Sequence, residues 1–278
     1  MQTTTDPSHS SVQESTDRCR RTDRLWASFI FFTRLPLWRI YEPPREAYRS
    51  VVEWWPLTGW LTGGAMALTL YFGAMVLPMT VAVVLALVVR LLLTGALHED
   101  GLADFFDGFG GGGTDRERIL TIMKDSHIGT YGVLSLILYI IMVVTTLASL
   151  TPTVAALTIV AAAPLARLLT ATLLSMPYAR REEEAKAKTV YRHMSPAAIG
   201  SLVVQGVLPA VLLLWQMGWP WAGWLWTAVL CLLPCLTTAF LHRLIRRRLH
   251  GYTGDCCGAV CLMTELSIYL TVILELRL

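Results

Sequence analysis

Charged residues are scarce in this chain of 278 residues: they make up 15% of it, whereas a soluble domain has about 25%. Hydrophobic residues make up 54%, and the mean hydropathy is +0.53. This composition excludes a disordered protein, which needs low hydrophobicity and high net charge. A net charge of only +3 also argues against a nucleic-acid-binding protein. The sequence therefore predicts an all-α, multi-span helical membrane bundle.

The sequence also argues against a disulfide framework and a cleaved signal peptide. Its 6 cysteines lie mostly in or beside apolar runs of a large chain, whereas disulfide-rich proteins are small and secreted. Cys231 and Cys235 share a helix face, but no histidine lies at ligand spacing, and we interpret them as packing residues. Residues 1–24 are polar without an apolar signal core, which predicts a disordered tail.

Seven apolar runs are long enough for a membrane-spanning helix, which needs about 20 residues. They cover residues 57–77, 79–97, 131–150, 152–174, 197–217, 221–241 and 256–276. A shorter apolar run, 25–32, is closed by Arg34 and Pro36, so we interpret segment 25–40 as interfacial or re-entrant, with a span left open. Residues 25–278 then form one integral membrane domain.

Basic residues give an independent test of this topology. Segments 18–49, 98–130, 178–195 and 242–255 hold twenty of the 23 Lys and Arg residues, and the seven runs place all four on one side. Because basic loops stay in the cytoplasm, that side is predicted to be cytoplasmic, with the N-terminus inside and the C-terminus outside. The long polar loop 98–130 then faces the cytoplasm, where we expect the chemistry.

Three aspartates in that loop are spaced to share one helix face. Asp100, Asp104 and Asp107 fall within about 60° of one another at the helical repeat. Such a face needs water or a cation, and Mg²⁺ takes oxygen ligands while leaving positions for substrate phosphates. The pattern predicts a metal-bound diphosphate site, the alternative being a solvated acidic face. Gly101 and Gly108 at interior positions favour a close backbone approach or a bend.

Two neighbours of the acidic face are candidate catalytic residues. His98 could act as general base, but a continuous helix points it about 160° away from Asp100, so that role requires a break at Gly101. The alternative is a structural histidine. Lys124 is a candidate phosphate contact or an ordinary interfacial lysine. The run Gly110–Gly113 is either a hinge or a plain linker.

Ionisable residues inside apolar runs are costly and indicate function. Arg167 is expected to pair with a carboxylate or a phosphate, whereas the role of Arg90 stays open. Glu265 lies deep in the last run and needs a partner, for which Arg90 or Arg167 is a candidate. Asp255, at the start of that run, is a further candidate ligand for metal or substrate.

Several motifs together resemble the cobalamin-5'-phosphate synthase family. The stretches TGALHEDGLADFFDGFGGG (94–112) and IMKDSHIGTYG (122–132) are similar to its central signature. Shorter matches are FTRLP (32–36), WPL with Gly59 (55–59), Arg167 with PYAR (177–180), and TGD with Glu265 (253–265). The chain departs from the family pattern with Glu99 for Leu, His127 for Arg and Cys257 for Leu.

The resemblance implies an adenosylcobinamide-GDP ribazoletransferase of the bacterial inner membrane. Such an enzyme joins α-ribazole, or its 5'-phosphate, to adenosylcobinamide-GDP with release of GMP and depends on Mg²⁺. The candidate residues are Asp100, Asp104 and Asp107 for metal; His98, Asp104 and Lys124 for catalysis; and Arg34, Lys124, Arg167, Arg180, Asp255 and Glu265 for substrate. Expected partners are the two substrates and the lipid bilayer, with an oligomer or a complex with other late cobalamin-pathway enzymes left open.

Two other functions share parts of this pattern. The CDP-alcohol phosphotransferases also have spaced aspartates, but their motif requires an arginine where this chain has Asp104. A cation transporter would carry its carboxylates near mid-bilayer, often in repeated halves. In this chain the acidic residues gather at one membrane edge, and the sequence shows no internal repeat.

Overall fold

The computed structural model describes residues 19–179, 194–216 and 224–277, and within these ranges it is helical without strands. Its α-helices are α1 (Arg21–Phe32), α2 (Trp55–Gly73), α3 (Met79–Thr94), α4 (Leu97–Gly111), α5 (Arg116–Lys124), α6 (Thr130–Ala148), α7 (Pro152–Thr170), α8 (Pro196–Gln216), α9 (Trp224–Leu249) and α10 (Gly254–Arg277). Three 3₁₀ segments, Leu37–Arg39, Arg45–Trp54 and Ala171–Ser175, complete them. The predicted all-α class is confirmed for this part of the chain.

The predicted count of seven membrane spans is not confirmed, although each apolar run overlaps a helix. In the described ranges, three helical segments are long and apolar enough to cross a membrane: α6, α7 with the 3₁₀ segment after it, and α10. The bent pair α3 and α4 adds a fourth if it counts as one broken span. These apolar helices agree with a membrane protein of at least three spans.

A sharp bend separates α3 from the acidic helix α4. The two helix axes differ by 91°, and the bend lies at Gly95 and Ala96, whose φ angles are +66° and +56°. Left-handed residues end an α-helix, so α3 stops here and α4 starts in a new direction. The Arg34 N–H donates to the Leu93 carbonyl at 2.7 Å, which fastens the end of α1 to this bend. The predicted loop 98–130 therefore consists mainly of two helices, α4 and α5.

The C-terminal helix α10 lies at the centre of the bundle. It packs against α4, α7, α9 and α6, and 67% of its most apolar 18-residue stretch is buried. By contrast, only 28% of the corresponding apolar stretch of α6 is buried, so α6 lies at the periphery of the bundle. The acidic helix is thus supported by the most enclosed of the three candidate spanning segments.

The first helix begins inside the segment predicted to be a disordered tail. Residues 1–18 lie outside the described part of the chain, but residues 21–24 already belong to α1, so the boundary at residue 24 is wrong. Asp23 explains the earlier start, because its carboxylate accepts the Arg20 N–H at 3.0 Å and the Tyr41 hydroxyl at 3.1 Å. A polar residue in this position caps the helix instead of leaving the chain unstructured.

The α2–α7 contact depends on a glycine. A Cβ atom at Gly63 would lie 2.7 Å from the Cβ of Ala163 and 3.2 Å from the Ile159 carbonyl oxygen. At the neighbouring Gly64, nothing lies within 4 Å of such an atom. Small residues allow helices in a membrane to approach closely, and Gly63 uses this property together with Gly59, where a Cβ would lie 3.0 Å from the Ala163 carbonyl.

We expect Gly63→Ala to destabilise the protein, because the added methyl group pushes α2 away from α7. Overpacking of this kind costs about 1–3 kcal/mol. Gly64→Ala is the matched control and should leave stability unchanged or raise it by up to about 1 kcal/mol. Tryptophan fluorescence during unfolding in mixed micelles measures both variants. An equal loss in the two would show that α2 and α7 do not cross at Gly63.

Candidate active site

Helix α4 carries the three predicted aspartates on one continuous helix face. It runs unbroken from Leu97 to Gly111, so the predicted helical arrangement is confirmed. Asp100 is exposed, Asp104 is half-buried and Asp107 is buried. The face therefore passes from solvent into the protein along its length, and its two outer carboxylates are the accessible ones.

A close crossing brings the start of α10 against this helix. A Cβ at Gly101 would lie 3.0 Å from the Asp255 carbonyl oxygen, and one at Gly258 would lie 3.0 Å from the His98 carbonyl oxygen. Both positions therefore exclude a side chain. Asp255, in the first turn of α10, is buried at this crossing. The structure thus places Asp255 beside α4, as a shared ligand site would need.

The innermost aspartate, Asp107, is bound by backbone amides. Its Oδ2 accepts the Gly129 N–H at 2.7 Å, and its Oδ1 accepts the Gly132 N–H at 2.8 Å. These two amides lie at the N-terminus of α6. Asp107 therefore joins the acidic helix to α6.

His98 lies on the opposite side of α4, in an aromatic cluster. Its ring centroid lies 6.5 Å from that of Phe32 and 6.1 Å from that of Trp55, with nearly parallel planes. The break at Gly101 that a general-base role would require is absent, because α4 is continuous there and the left-handed residues lie earlier, at Gly95 and Ala96. His98 and Asp100 therefore keep the separation of about 160° set by a helix. The His98 Nε2 is buried and has no hydrogen-bond partner among the described residues.

A buried charge network surrounds Arg90. Its guanidinium lies 2.9 Å from Glu99 and 3.0 Å from Glu265, and it also contacts the Tyr139 hydroxyl at 2.8 Å. The Tyr269 hydroxyl donates to the same Glu265 oxygen. Arg90 is thus the partner that Glu265 was expected to need. Sequence reasoning found no role for Glu99 beyond its departure from the family pattern, and its pairing with Arg90 depends on the bend between α3 and α4.

Arg167 has a different environment from the one expected. It donates to the Ala163 carbonyl at 2.7 Å and to the Thr62 hydroxyl at 3.1 Å. Within the described ranges no carboxylate forms an ion pair with it, and Glu265 pairs with Arg90 instead. Its Nε is buried and has no partner in that part of the chain. Arg167 therefore ties α7 to α2 through neutral oxygens.

Two of the three remaining predicted cations lie among the described residues, on different elements. Arg34 is exposed and its side chain lies against Gly95, over the bend that precedes α4. Lys124 is exposed at the last residue of α5. Arg180 lies outside the described residues. The structure thus places Arg34 near the start of the acidic helix and Lys124 on the segment that leads into α6.

A tight turn follows Lys124. The Asp125 carboxylate accepts the His127 N–H at 3.0 Å and contacts the His127 ring nitrogen Nδ1 at 2.7 Å. These hydrogen bonds, chiefly the one from the backbone N–H, stabilise the charged carboxylate and lower the pKa of Asp125. His127, which replaces the arginine of the family pattern, thus helps to shape this turn.

Arg116 is a residue whose role the sequence did not reveal. Its guanidinium donates to the Leu249 carbonyl at 2.9 Å and to the Ala179 carbonyl at 2.5 Å. These carbonyls belong to the segments that lead to Asp255 and to Arg180. In the sequence Arg116 is one of several charges at the start of α5, and nothing in its spacing indicated carbonyl partners more than 60 residues away.

The donor set fits a magnesium ion that is shared with phosphate, but not one held by protein alone. The described residues contain no group of three or more His, Cys, Asp or Glu side chains placed to hold a metal. Mg²⁺ usually binds one or two carboxylates and completes its shell with water and substrate phosphates. Asp100 and Asp104, one turn apart and accessible, match that pattern.

We expect Arg90→Leu to destabilise the protein by at least about 3 kcal/mol, because it leaves two buried carboxylates without their cation. The triple variant Arg90→Leu, Glu99→Leu, Glu265→Leu removes all three charges and should recover much of that loss. Unfolding in mixed micelles compares the two with the wild type. Wild-type stability of Arg90→Leu would contradict a buried ion-pair network.

Comparisons with known proteins agree with the motifs of the acidic helix. The family model for Cobalamin-5-phosphate synthase matches residues 24–273. An adenosylcobinamide-GDP ribazoletransferase of Leptothrix cholodnii is 39% identical over 246 residues, 86% of this chain and 90% of that protein. Proteins of the same name from Shewanella baltica and Leptospira interrogans are 36% and 32% identical, over 90% and 89% of this chain and 93% and 94% of their own. No solved structure matches the chain. The chain belongs to the cobalamin-5-phosphate synthase family.

Proposed function

We propose that this protein joins α-ribazole, or its 5'-phosphate, to adenosylcobinamide-GDP in cobalamin biosynthesis. Family membership over residues 24–273 and the names of its relatives support this reaction. The observation that carries the site is the acidic face of α4, whose outer carboxylates are accessible where α4 meets the start of α10. The finer assignments below are proposals of the same kind.

The reaction is a phosphoryl-type transfer. A ribazole hydroxyl forms a new bond to the diphosphate phosphorus nearest the cobinamide, and the bond from that phosphorus to the GMP oxygen breaks. The hydroxyl loses a proton, and GMP leaves with the electron pair of the broken bond. Charge accumulates on the phosphate oxygens during the transfer, so the protein needs positive charge and a proton acceptor at one place.

We assign Asp100 and Asp104 as the carboxylates that would hold Mg²⁺ against the diphosphate. A bound Mg²⁺ ion neutralises phosphate charge and orients the oxygens for in-line attack. The α4–α10 crossing supports this placement, because it brings the backbone of Asp255 against Gly101, between the two carboxylates along α4. Asp255 is then a further substrate or metal contact at the same edge.

The proton acceptor is better assigned to Asp104 than to His98. Asp104 faces the accessible edge and is half-buried, whereas His98 lies in the aromatic cluster on the other side of α4. A general base must lie within hydrogen-bond reach of the hydroxyl that it deprotonates. His98 remains a candidate only if substrate binding rearranges that cluster, and His98→Gln tests this.

Arg34, Lys124 and Arg180 are proposed to bind phosphate oxygens. Arg34 lies over the bend at the start of α4, and Lys124 lies at the end of α5, so two cations flank the acidic helix. Arginine binds phosphate through two parallel N–H groups, which suits a diphosphate. Arg167 and Glu265 instead contact protein groups, Thr62 and Arg90, and we propose that they support the bundle beneath the site.

For the membrane arrangement we propose seven spans in the inner membrane with the site on the cytoplasmic side. The clustering of twenty of the 23 basic residues in four segments supports it. A reporter fused to the C-terminus should be active only if that end lies outside the cytoplasm. A cytoplasmic signal would instead show an even number of spans.

The enzymatic proposal predicts that purified protein in liposomes releases GMP from adenosylcobinamide-GDP when ribazole and Mg²⁺ are present. Asp104→Asn should lower turnover by at least about 100-fold, because it removes a carboxylate that would hold Mg²⁺ and the proposed proton acceptor. Glu42→Gln, an exposed carboxylate before α2, is the matched control and should keep full activity. Chromatography of released GMP measures both variants.

Full activity of Asp104→Asn would contradict its assignment. Ion flux across the liposome membrane without GMP release would favour a transporter instead. Transfer from a CDP-alcohol in place of adenosylcobinamide-GDP would favour the phosphotransferase alternative.

A further inference from the structure

The inner end of the acidic face is buried, whereas its outer end is accessible. Asp107 is buried, and each of its two carboxylate oxygens already accepts a backbone N–H, from Gly129 at 2.7 Å and from Gly132 at 2.8 Å. Charge-assisted bonds of this kind are about twice as strong as neutral ones. Each oxygen keeps a further lone pair, but it lies in a place that solvent hardly reaches, where Mg²⁺ would have to give up water that it releases reluctantly.

The carboxylate of Asp107 fills the space that a side chain at Gly129 or Gly132 would need. A Cβ at Gly129 would lie 2.5 Å from the Asp107 Oδ1, and a Cβ at Gly132 would collide with the Oδ2 and lie 3.1 Å from the Ala103 carbonyl oxygen. Gly129 is the N-cap of α6, and Gly132 follows three residues later in its first turn. The spacing of three residues therefore presents two free amides of one helix terminus to one carboxylate.

The N-terminus of α6 also favours a negative charge beside it. The first turn of an α-helix carries a partial positive charge from its unpaired N–H groups, which an anion stabilises. In most helices a residue of the same segment caps these groups, but the N-cap of α6 is a glycine without a side chain. Asp107 supplies the missing cap from α4, 22 residues earlier in the chain.

We propose that Asp107 is a positioning residue that fixes the N-terminus of α6 to the acidic helix, and that it does not bind Mg²⁺. The segment from Lys124 to Ile128 ends at this anchor, and the Asp125–His127 turn holds its middle. Asp107 therefore acts on the reaction through the placement of α6, and of the Lys124–Ile128 segment that leads into it, against α4. The statement about Mg²⁺ rests on the proposed function, whereas the anchoring of α6 does not.

Three variants separate anchoring from metal binding. Asp107→Asn keeps the size of the side chain but presents an NH₂ group to one of the two amides. Gly132→Ala keeps the carboxylate and breaks the same contact from the other side. Asp104→Asn changes the outer carboxylate and leaves the anchor intact. Each is purified in detergent and used only if it elutes as a single species.

Two measurements need no turnover. Hydrogen exchange of the peptide that covers residues 128–133 should speed up in Asp107→Asn and in Gly132→Ala, and stay at the wild-type rate in Asp104→Asn. Mn²⁺ binding, followed by the electron paramagnetic resonance of the free ion, should be unchanged in the first two variants. In Asp104→Asn it should weaken by at least about tenfold.

Kinetics give a third readout. Asp107→Asn and Gly132→Ala should lower kcat, by up to about 100-fold for a displaced contact, while the Mg²⁺ concentration for half-maximal rate stays unchanged. A role limited to overall stability would leave the kcat of the folded protein unchanged and would overturn the positioning role. Weaker Mn²⁺ binding in Asp107→Asn together with normal binding in Gly132→Ala would make Asp107 a metal ligand and overturn the proposal.

The exchange measurement decides the anchor even if the metal assignment fails. If wild-type protein bound no Mn²⁺, the magnesium part of the proposed function would be wrong, and exchange at 128–133 would still report on α6. Wild-type exchange rates in both Asp107→Asn and Gly132→Ala would overturn the anchor itself. In that case the carboxylate would not hold the N-terminus of α6.

Discussion

The packing of this protein depends above all on the free-energy cost of burying charged groups. A buried ion loses its hydration, so it is tolerated only with an opposite charge or several hydrogen bonds. Arg90 meets this requirement with Glu99 and Glu265, and Asp107 meets it with two backbone amides. Each solution joins elements that are distant in sequence. These few buried ionised groups therefore also determine how the helices pack against one another.

Glycine at helix crossings is the second requirement. Gly101 and Gly258 let the backbones of α4 and α10 touch, and Gly63 does the same for α2 and α7. A crossing without side chains leaves little freedom for sliding, since neighbouring positions carry larger groups. Asp255 is thereby held at a set height along α4. The precision of the site thus depends on residues that have no functional group of their own.

The sequence predicted the helical class, the helical face of Asp100, Asp104 and Asp107, and an arginine partner for Glu265, because these follow from periodicity and from desolvation. It did not predict the direction change at Gly95 and Ala96, since two consecutive left-handed residues, one of them an alanine, leave no pattern in the sequence. Gly101 was expected to mark either a close backbone approach or a bend, and the structure shows the close approach, at the crossing with α10. The carbonyl contacts of Arg116 also went unpredicted, because their distance along the chain carries no periodic signal.

The right-angled bend between α3 and α4 has a geometric consequence for where the substrates meet. In the membrane arrangement proposed above, α3 crosses the bilayer, and a helix that turns by 91° from it runs along the plane of the bilayer. Every residue of α4 then stays at nearly the same depth in the membrane, and its outer aspartates face an open surface at the membrane–water boundary rather than an enclosed channel. A bulky, highly charged diphosphate can approach such an open surface along the membrane and leave it the same way, while its phosphates stay in contact with water.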